Sequence, residues 1–264
     1  MHLFTRISAY PLNRYKEHLK TKPSKRGGTL SNATINQTLG ALQSWFAWLT
    51  LMDYIEKNPS LKIEQLKSDP PKALEWTKEE IGALFDALTE REQTIWRDQA
   101  MLWILLHGLR ASEVSALNVR DFDGKRLHIL EAKADSVGTV PLLDEGIEAI
   151  ENYLNWRESQ GFSQDSNSPL LLSHSRNNRG DRLGYDGIYK AVKAIAKIAG
   201  VENAHPHRGR HTIATNMILQ GLDPMLAMEI TRHKSPDSYK RYSKRATQIR
   251  AEQAFRQNQN LFKN

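Results

Sequence analysis

The sequence predicts a mainly α-helical protein of two domains, with a small antiparallel β-sheet in the C-terminal domain. Three observations indicate this fold class. Apolar residues recur at helical spacing along much of the 264-residue chain. Two short runs, 127–130 (Leu-His-Ile-Leu) and 139–142 (Thr-Val-Pro-Leu), have the composition of paired strands. Pro70 and Pro71 mark a linker, because proline lacks a backbone donor and disfavours helix before it.

The first domain, predicted over residues 1–66, contains a helix that begins after Gly27-Gly28 and ends before Asn58-Pro59. Ser31 is its expected N-cap. Its apolar residues repeat at helical spacing, and they are Leu39, Leu42, Trp45, Phe46 and Leu49. We expect the aromatic residues at positions 45, 46 and 48 to lie in the core rather than to stack on bases. A linker over 67–75 follows.

The second domain, predicted over 76–245, begins with a capping box of Thr77 and Glu80 that opens a helix to about residue 88. An apolar helix over 98–107 ends at Gly108. Residues 170–172 (Leu-Leu-Leu) fit either a short strand or a buried loop. Further helices are predicted over 144–158, 184–199 and 207–220, then from Pro224, and as a short helix from Pro236.

The tail, residues 246–264, has helix-forming composition with a few apolar positions. Two placements stay open for it: packing on a neighbouring protomer or folding back on its own domain.

Charge favours nucleic acid as the partner, since the net charge is +7. Residues 1–72 hold 11 Lys and Arg against 5 Asp and Glu, residues 73–200 hold 15 against 20, and residues 201–264 hold 11 against 5. The segment charges are therefore +6, −5 and +6, as expected of two basic faces around a duplex, although a merely basic protein could also have them.

The absence of cysteine excludes disulfides and thiolate metal sites. The longest apolar run, 100–106, is too short to span a bilayer, and no signal-peptide pattern is present. We therefore expect a cytoplasmic, nucleoid-associated protein with no membrane partner. His205, His207 and His211 raise the possibility of zinc, but the expectation is no metal and no cofactor.

The groups that stand out chemically are cations. No tight carboxylate cluster suited to Mg²⁺ is evident, whereas arginines can grip phosphate oxygens in bidentate fashion and stay charged at any working pH. His207 and Arg210 lie one turn apart at a predicted helix N-terminus, which favours phosphate. Tyr239 and Tyr242, three residues apart, are both possible nucleophiles on chemistry alone.

The order and spacing of these groups resemble the tyrosine recombinase (phage integrase) family. The strings are Gly108-Leu109-Arg110-Ala111-Ser112-Glu113, His207-Arg208-Gly209-Arg210-His211-Thr212, and Arg232-His233 followed nine residues later by Tyr242. The first domain matches more loosely, at Leu30-Ser31-Asn32-Ala33-Thr34, Phe46-Ala47-Trp48-Leu49 and Asn58-Pro59. With no arm-binding domain ahead of the helical region, the expected form is the simple two-domain type.

The resemblance implies a fold, a reaction and a set of roles. The fold would be a two-domain C-shaped clamp, and the reaction a site-specific exchange of duplex DNA strands by a tetramer through a 3′-phosphotyrosine link. The implied roles are Tyr242 as nucleophile, Arg110 and Arg210 as transition-state stabilisers, His207 as base then acid, Lys133 as general acid, His233 on a phosphate oxygen or the nucleophile, and Glu113 as a support for Arg110 or a nearby histidine.

Two positions depart from the family pattern. Arg232 stands where glycine is usual, and Gly209 stands where leucine is usual, the latter expected to cost a core contact. Two rival functions remain: DNA relaxation by a type IB topoisomerase, which uses a similar set of groups, and DNA binding without catalysis.

Overall fold

The computed structural model describes residues 8–25, 27–68, 75–130 and 137–257, apart from the side chain of Ser238. The chain divides into two units, Met1–Pro71 and Lys72–Asn264. The described elements are helices α1 (Ala9–Thr21), α2 (Asn32–Leu51), α3 (Lys78–Asp86), α4 (Ile95–Leu106), α5 (Ala111–Ala116), α6 (Asp144–Ser159), α7 (Tyr185–Ile198), α8 (His207–Leu219), α9 (Pro224–Thr231) and α10 (Pro236–Gln257), 3-10 turns at Ala87–Arg91 and Val119–Asp121, and strands β1 (Arg126–Ile129) and β2 (Gly138–Pro141).

The first unit is a pair of helices with an irregular segment packed beside them. Ser31 caps α2 as predicted, since its hydroxyl accepts from the backbone N–H of Thr34 at 3.3 Å. The amide of Asn36 pairs with both the N–H and the carbonyl of Leu66, at 2.7 Å each, which fixes the segment after α2 against that helix. The core is formed by Leu12, Leu19, Ile35, Leu39, Phe46, Leu49, Ile55 and Ile63.

The expected burial of the α2 aromatic residues is correct for one of the three. Phe46 is buried, but Trp45 and Trp48 are each 45% exposed. Trp48 instead lies against Tyr54, with ring centroids 5.7 Å apart. Helical spacing predicted a single apolar face, whereas these two rings project at the edges of that face.

The second unit is organised around α4, which is buried along most of its length. The predicted capping box is present, because Thr77 accepts from Glu80 N–H and Glu80 accepts from Thr77 N–H. α4 begins at Ile95, three residues before the predicted start. It ends at Leu106 with His107 as its C-cap, and Gly108 follows at φ +88°, a conformation that glycine adopts without steric cost.

The predicted hairpin forms, with each strand one residue earlier than expected. β1 and β2 pair antiparallel from Arg126↔Pro141 to Ile129↔Gly138. Lys133, the predicted general acid, lies in 131–136, outside the described residues. Residues 170–172 are a buried loop with isolated bridges on either side, Asn118↔Pro169 and Leu172↔Arg182.

The helix from Pro236 is long, not short as predicted. α10 runs without interruption from Pro236 to Gln257 and so carries the first part of the predicted tail. Arg250 donates to the carbonyls of Ile218 and, at 3.0 Å, Leu219 at the end of α8. Residues 251–257 beyond it are exposed. None of the helices in the part of the chain that the structure describes is long and apolar enough to cross a bilayer.

α8 crosses α4 closely because Gly209 has no side chain. A Cβ at Gly209 would lie 2.7 Å from the carbonyl oxygen of Leu105. The glycine was expected to lose a core contact; instead it permits direct backbone packing. This close approach brings the first turn of α8 to the end of α4.

Candidate active site

Arg210 is held at the junction of α4 and α8. It is 1% exposed, and its guanidinium donates to the carbonyl of Gly108 at 2.5 Å. That carbonyl lies just beyond the last turn of α4, where helix carbonyls lack partners within the helix. Burial first, and then the like charge of Arg110, lowers the pKa of Arg210 to about 10, so it stays cationic at neutral pH.

Arg110 precedes α5 and is fixed by Glu113. The Glu113 carboxylate accepts from the backbone N–H of Arg110 at 2.8 Å and from its guanidinium at 2.6 Å. Glu113 is almost fully buried, while 31% of the Arg110 side chain remains exposed. The expectation that Glu113 holds Arg110 or a nearby histidine is met by the arginine, and a second arginine, Arg232, donates to the same carboxylate at 2.6 Å.

His107 has a separate, structural place. Its Nε2 accepts from the N–H of Leu143 at 2.9 Å, and its Nδ1 lies 2.7 Å from the carbonyl of Trp103. This ring therefore joins the end of α4 to the start of α6.

His233 follows α9 and approaches Arg210. Its Nδ1 lies 2.7 Å from the hydroxyl of Thr231, which donates its own proton to the carbonyl of Ala227 at 2.7 Å. Because the Thr231 hydroxyl donates to Ala227, it can accept from a proton on Nδ1, whereas Nη2 of Arg210, which can only donate, lies 3.5 Å from the same Nδ1. Burial first, and then Arg210, lowers the pKa of His233 to about 3, so the ring is neutral at neutral pH.

Tyr242 is fully buried, and its hydroxyl has two partners that the sequence interpretation missed. The oxygen lies 3.0 Å from Nδ1 of His211, and it accepts from the guanidinium of Arg241 at 2.8 Å. Burial first, and then His207 and Arg241, lowers the pKa of His211 to about 3. A neutral His211 can accept the phenolic proton, whereas arginine can only donate.

His207 lies beside this pair, on the exposed side. Its ring meets that of His211 edge to face with centroids 4.5 Å apart, one helical turn along α8. Desolvation of the packed face, followed by Arg210, lowers the pKa of His207 to about 4, although the residue as a whole is exposed.

Tyr239 occupies a different environment from Tyr242. Its hydroxyl donates to the carbonyl of Ala214 at 3.3 Å, and burial raises its pKa further above the usual range. Its ring is tilted against that of Tyr242 and meets that of His233 edge to face, with centroids 5.1 and 5.2 Å away. Of the two tyrosines, only Tyr242 has its hydroxyl bonded to an imidazole and a guanidinium among the contacts described.

The fold therefore brings together five of the six predicted reactive groups. Glu113 lies beneath them, and Lys133 lies outside the described residues. The sequence did contain a signal that His211 could lie at the site, because it follows His207 by four residues, one helical turn. In the sequence analysis His211 was considered only as a metal ligand. Within the described ranges, no three or more histidine, aspartate or glutamate side chains are grouped so as to hold a metal ion.

The model of the phage integrase family matches residues 75–248. The chain is 31% identical over 214 residues to the tyrosine recombinase XerC of Thermodesulfovibrio yellowstonii, a match that covers 78% of this chain and 69% of the relative. The XerC of Pelobacter propionicus is 30% identical over 221 residues, covering 82% and 70%.

Solved structures share the fold at lower identity. XerH site-specific recombinase bound to a palindromic difH substrate superposes with a TM-score of 0.74 at 20% identity, covering 98% of this chain and 73% of that one. The Tn1549 transposon integrase in complex with circular intermediate DNA gives 0.70 at 19% identity, covering 90% and 81%.

Proposed function

The chain belongs to the phage integrase family of tyrosine recombinases, and we propose that it is a site-specific recombinase that cuts and rejoins duplex DNA through a 3′-phosphotyrosine intermediate. The observation that carries the proposal is the Tyr242 hydroxyl, which is bonded to a neutral imidazole and a guanidinium beside the Arg110 and Arg210 cations.

In the first step, the Tyr242 oxygen attacks a DNA phosphorus, and the bond from phosphorus to the 5′ oxygen breaks. A free phenol is a weak nucleophile, because its pKa is about 10. In this chain His211 is placed to accept the phenolic proton, and the Arg241 guanidinium donates to the same oxygen. His207 packs against His211, which supports a role for His207 in receiving that proton and later returning it.

Charge gained in the transition state is offset by fixed cations. Arg210 is oriented by the Gly108 carbonyl and Arg110 by Glu113, so neither guanidinium has to reorganise when phosphate arrives. His233, whose ring lies beside those of Tyr239 and Tyr242, is proposed to hold a phosphate oxygen or the nucleophile. The 5′ oxygen leaves as a hydroxyl, and Lys133 is proposed to supply its proton.

In the second step, a 5′ hydroxyl from a partner duplex attacks the phosphotyrosine, and Tyr242 recovers its proton. The number of phosphodiester bonds is unchanged, so no nucleotide hydrolysis is needed. We propose four protomers on two duplexes, with residues 1–66 as a DNA-clamping domain, 67–75 as a linker, 76–245 as the catalytic domain, and 246–264 as a tail. Ala246 and Arg250 pack on their own domain, so the exposed residues 251–257 are the part of the tail proposed to contact a neighbouring protomer. The proposed location is the nucleoid.

The test is a duplex with a nick that lets the cut fragment diffuse away, which traps the covalent adduct. The wild-type chain should form an adduct that maps to Tyr242, and the adduct should form equally in EDTA, because guanidinium groups supply the positive charge. Activity that depends on added Mg²⁺ or Zn²⁺ would contradict this mechanism.

A second substrate distinguishes a recombinase from the two rival functions, DNA relaxation by a type IB topoisomerase and DNA binding without catalysis. Two copies of a recombination site should yield a Holliday junction, which relaxation by a topoisomerase does not produce. Binding without any adduct would instead indicate a non-catalytic DNA-binding protein.

A further inference from the structure

Arg232 adopts a backbone conformation that arginine ordinarily avoids. It ends α9 in the left-handed region, at φ 54° and ψ 43°, where glycine is the favoured residue. Its side chain is nevertheless buried, with 7% of the residue exposed. A strained and buried cation persists only when its surroundings hold it there.

The contact that holds Arg232 is Glu113. One carboxylate oxygen of Glu113 accepts from Arg232 at 2.6 Å and from the backbone N–H of Arg110 at 2.8 Å, while the other accepts from the Arg110 guanidinium at 2.6 Å. A single buried carboxylate thus lies between the guanidinium groups of two arginines that are far apart in the sequence.

The stem of Arg232 also packs against the start of β2. A Cβ placed on Gly138 would lie 3.1 Å from Cδ of Arg232, so the missing side chain at Gly138 makes room for the arginine. The side chain therefore joins the end of α9, the start of α5 and the hairpin.

The net charge of the trio formed by Arg110, Glu113 and Arg232 depends on Arg232. Arg110 and Glu113 alone sum to zero, so a phosphate approaching Arg110 would also meet the field of the carboxylate. With Arg232 included, the trio carries one net positive charge, and part of the Arg110 side chain remains exposed to receive an anion. Arg232 is in addition close enough to Arg210 to lower the pKa of that group.

We propose that Arg232 is a positioning residue, which acts through Glu113 to fix Arg110 and to leave the charge of Arg110 available to the scissile phosphate. It is not placed in contact with DNA. The inference rests on the proposed recombinase function, since the rate to be measured is that of cleavage at Tyr242.

The experiment compares Arg232→Gln, which removes the charge and keeps a shorter, neutral hydrogen-bond donor, with Arg232→Lys, which keeps the charge. Single-turnover formation of the covalent adduct is measured on the nicked duplex with DNA in excess. We expect the glutamine variant to be slowed about 10- to 100-fold, by analogy with residues that orient the ligands of catalytic metals. The lysine variant should stay within about tenfold of wild type.

A charge-rescue variant distinguishes this role from a structural one. Arg232→Gln combined with Glu113→Gln removes one positive and one negative charge, and so returns the local sum to that of the wild type. We expect it to cleave faster than Arg232→Gln alone, whereas a merely structural role would make the double variant slower still.

The matched control is Arg157→Gln in α6. Arg157 is a buried arginine that donates to the carbonyls of Pro169 and Leu170 at 2.8 and 2.9 Å. Its replacement should lower the melting temperature without slowing cleavage below that temperature.

The outcomes separate the two proposals. A wild-type chain that forms no adduct refutes the recombinase function itself. A wild-type chain that cleaves, together with a glutamine variant of equal rate or a double variant slower than the single, overturns the role of Arg232. If Arg232→Gln melts below the assay temperature, Arg232→Lys decides, and it must then cleave within about tenfold of wild type for the role of Arg232 to stand.

Discussion

The Tyr242 hydroxyl lies between an imidazole that can take its proton and a guanidinium that can stabilise its anion. Tyr239, three residues earlier on α10, instead donates to a backbone carbonyl. Two tyrosines of the same helix therefore differ in their hydrogen-bond partners, and we predict that they differ in reactivity, which can be tested by removing one oxygen atom from each.

Tyr242→Phe should abolish adduct formation while leaving DNA affinity within about threefold, because the hydroxyl is buried in the free chain and its loss removes no exposed charge. Tyr239→Phe is the matched control and should still form the adduct. The measurement is gel separation of the adduct with peptide mapping. An adduct that maps to Tyr239 would overturn the assignment.

His211 should link stability to pH. Burial and neighbouring cations lower its pKa to about 3 in the folded chain, against about 6.5 when unfolded. Between about pH 3 and pH 6.5, His211 is therefore neutral in the folded state but protonated in the unfolded state. The contribution of His211 to the free energy of unfolding is complete above about pH 6.5. It is lost as the pH falls toward 3, at about 1.4 kcal/mol per pH unit for one such group.

His211→Asn should flatten that dependence. The free energy of unfolding, measured in denaturant at pH 7.5, 6.0 and 5.0, should fall less steeply with acid than in the wild type. His233 has a similarly lowered pKa, so part of the slope should remain. An unchanged slope in His211→Asn would show that this ring is protonated in the folded chain. The same variant should slow adduct formation about 100-fold if His211 takes the Tyr242 proton.

At the scale of elements, close helix packing positions the site. Gly209 lets α8 approach the end of α4 so closely that an added Cβ would lie 2.7 Å from a backbone oxygen, which has no freedom to rotate away. Arg210, the next residue, then reaches the carbonyl of Gly108.

Gly209→Ala should destabilise the chain by about 1–3 kcal/mol, since overpacking against backbone forces the helices apart. The matched control is Gly82→Ala in α3, where nothing lies within 4 Å of the added Cβ. That change should stabilise the chain by about 0.5–1 kcal/mol, because alanine favours helix over glycine. Thermal unfolding of both variants tests the argument, which fails if the two shifts have the same sign.

α10 connects the site to the tail in one element. Because Tyr242 lies on the same uninterrupted helix as Arg250, movement of the tail would be transmitted to the nucleophile. Pro236 marks the start of the helix as predicted, and no proline or glycine interrupts the sequence after it before Gln257, which accounts for a helix longer than the predicted short one.

At the scale of the whole molecule, charge is concentrated at both ends of the chain. Each of the two units has its own apolar core, and the segments 1–72 and 201–264 each carry +6. A duplex bound by both segments would release counterions from both.

Binding should therefore weaken steeply with salt, and removing residues 1–72 should flatten the slope of log affinity against log salt by several units. Each lost phosphate contact accounts for roughly 0.9 unit. Fluorescence anisotropy of a labelled duplex over a range of salt concentrations measures both slopes. If the 73–264 fragment shows the slope of the full chain, the first unit does not bind phosphate and the clamp must be abandoned.

The family, the mainly helical fold with its small hairpin, and most helix starts could be predicted from sequence. These features depend on local chemistry: Ser31 and Thr77 cap the helix that follows each of them, and Pro224 follows the cap Asp223. The reactive side chains were identifiable because their spacing within short strings is itself the signal.

Only the tertiary structure decided which groups touch. Trp45, from helical periodicity, and Trp48, as an aromatic residue of the same helix, were expected in the core, but both are 45% exposed. Arg232 was read as a departure from a pattern, and its contact with Glu113 crosses 119 positions of sequence. The Tyr242–His211 bond likewise crosses 31. Such pairs form because helices pack through their side chains. Packing brings together residues that are far apart along the chain, and their contact cannot be predicted from that separation.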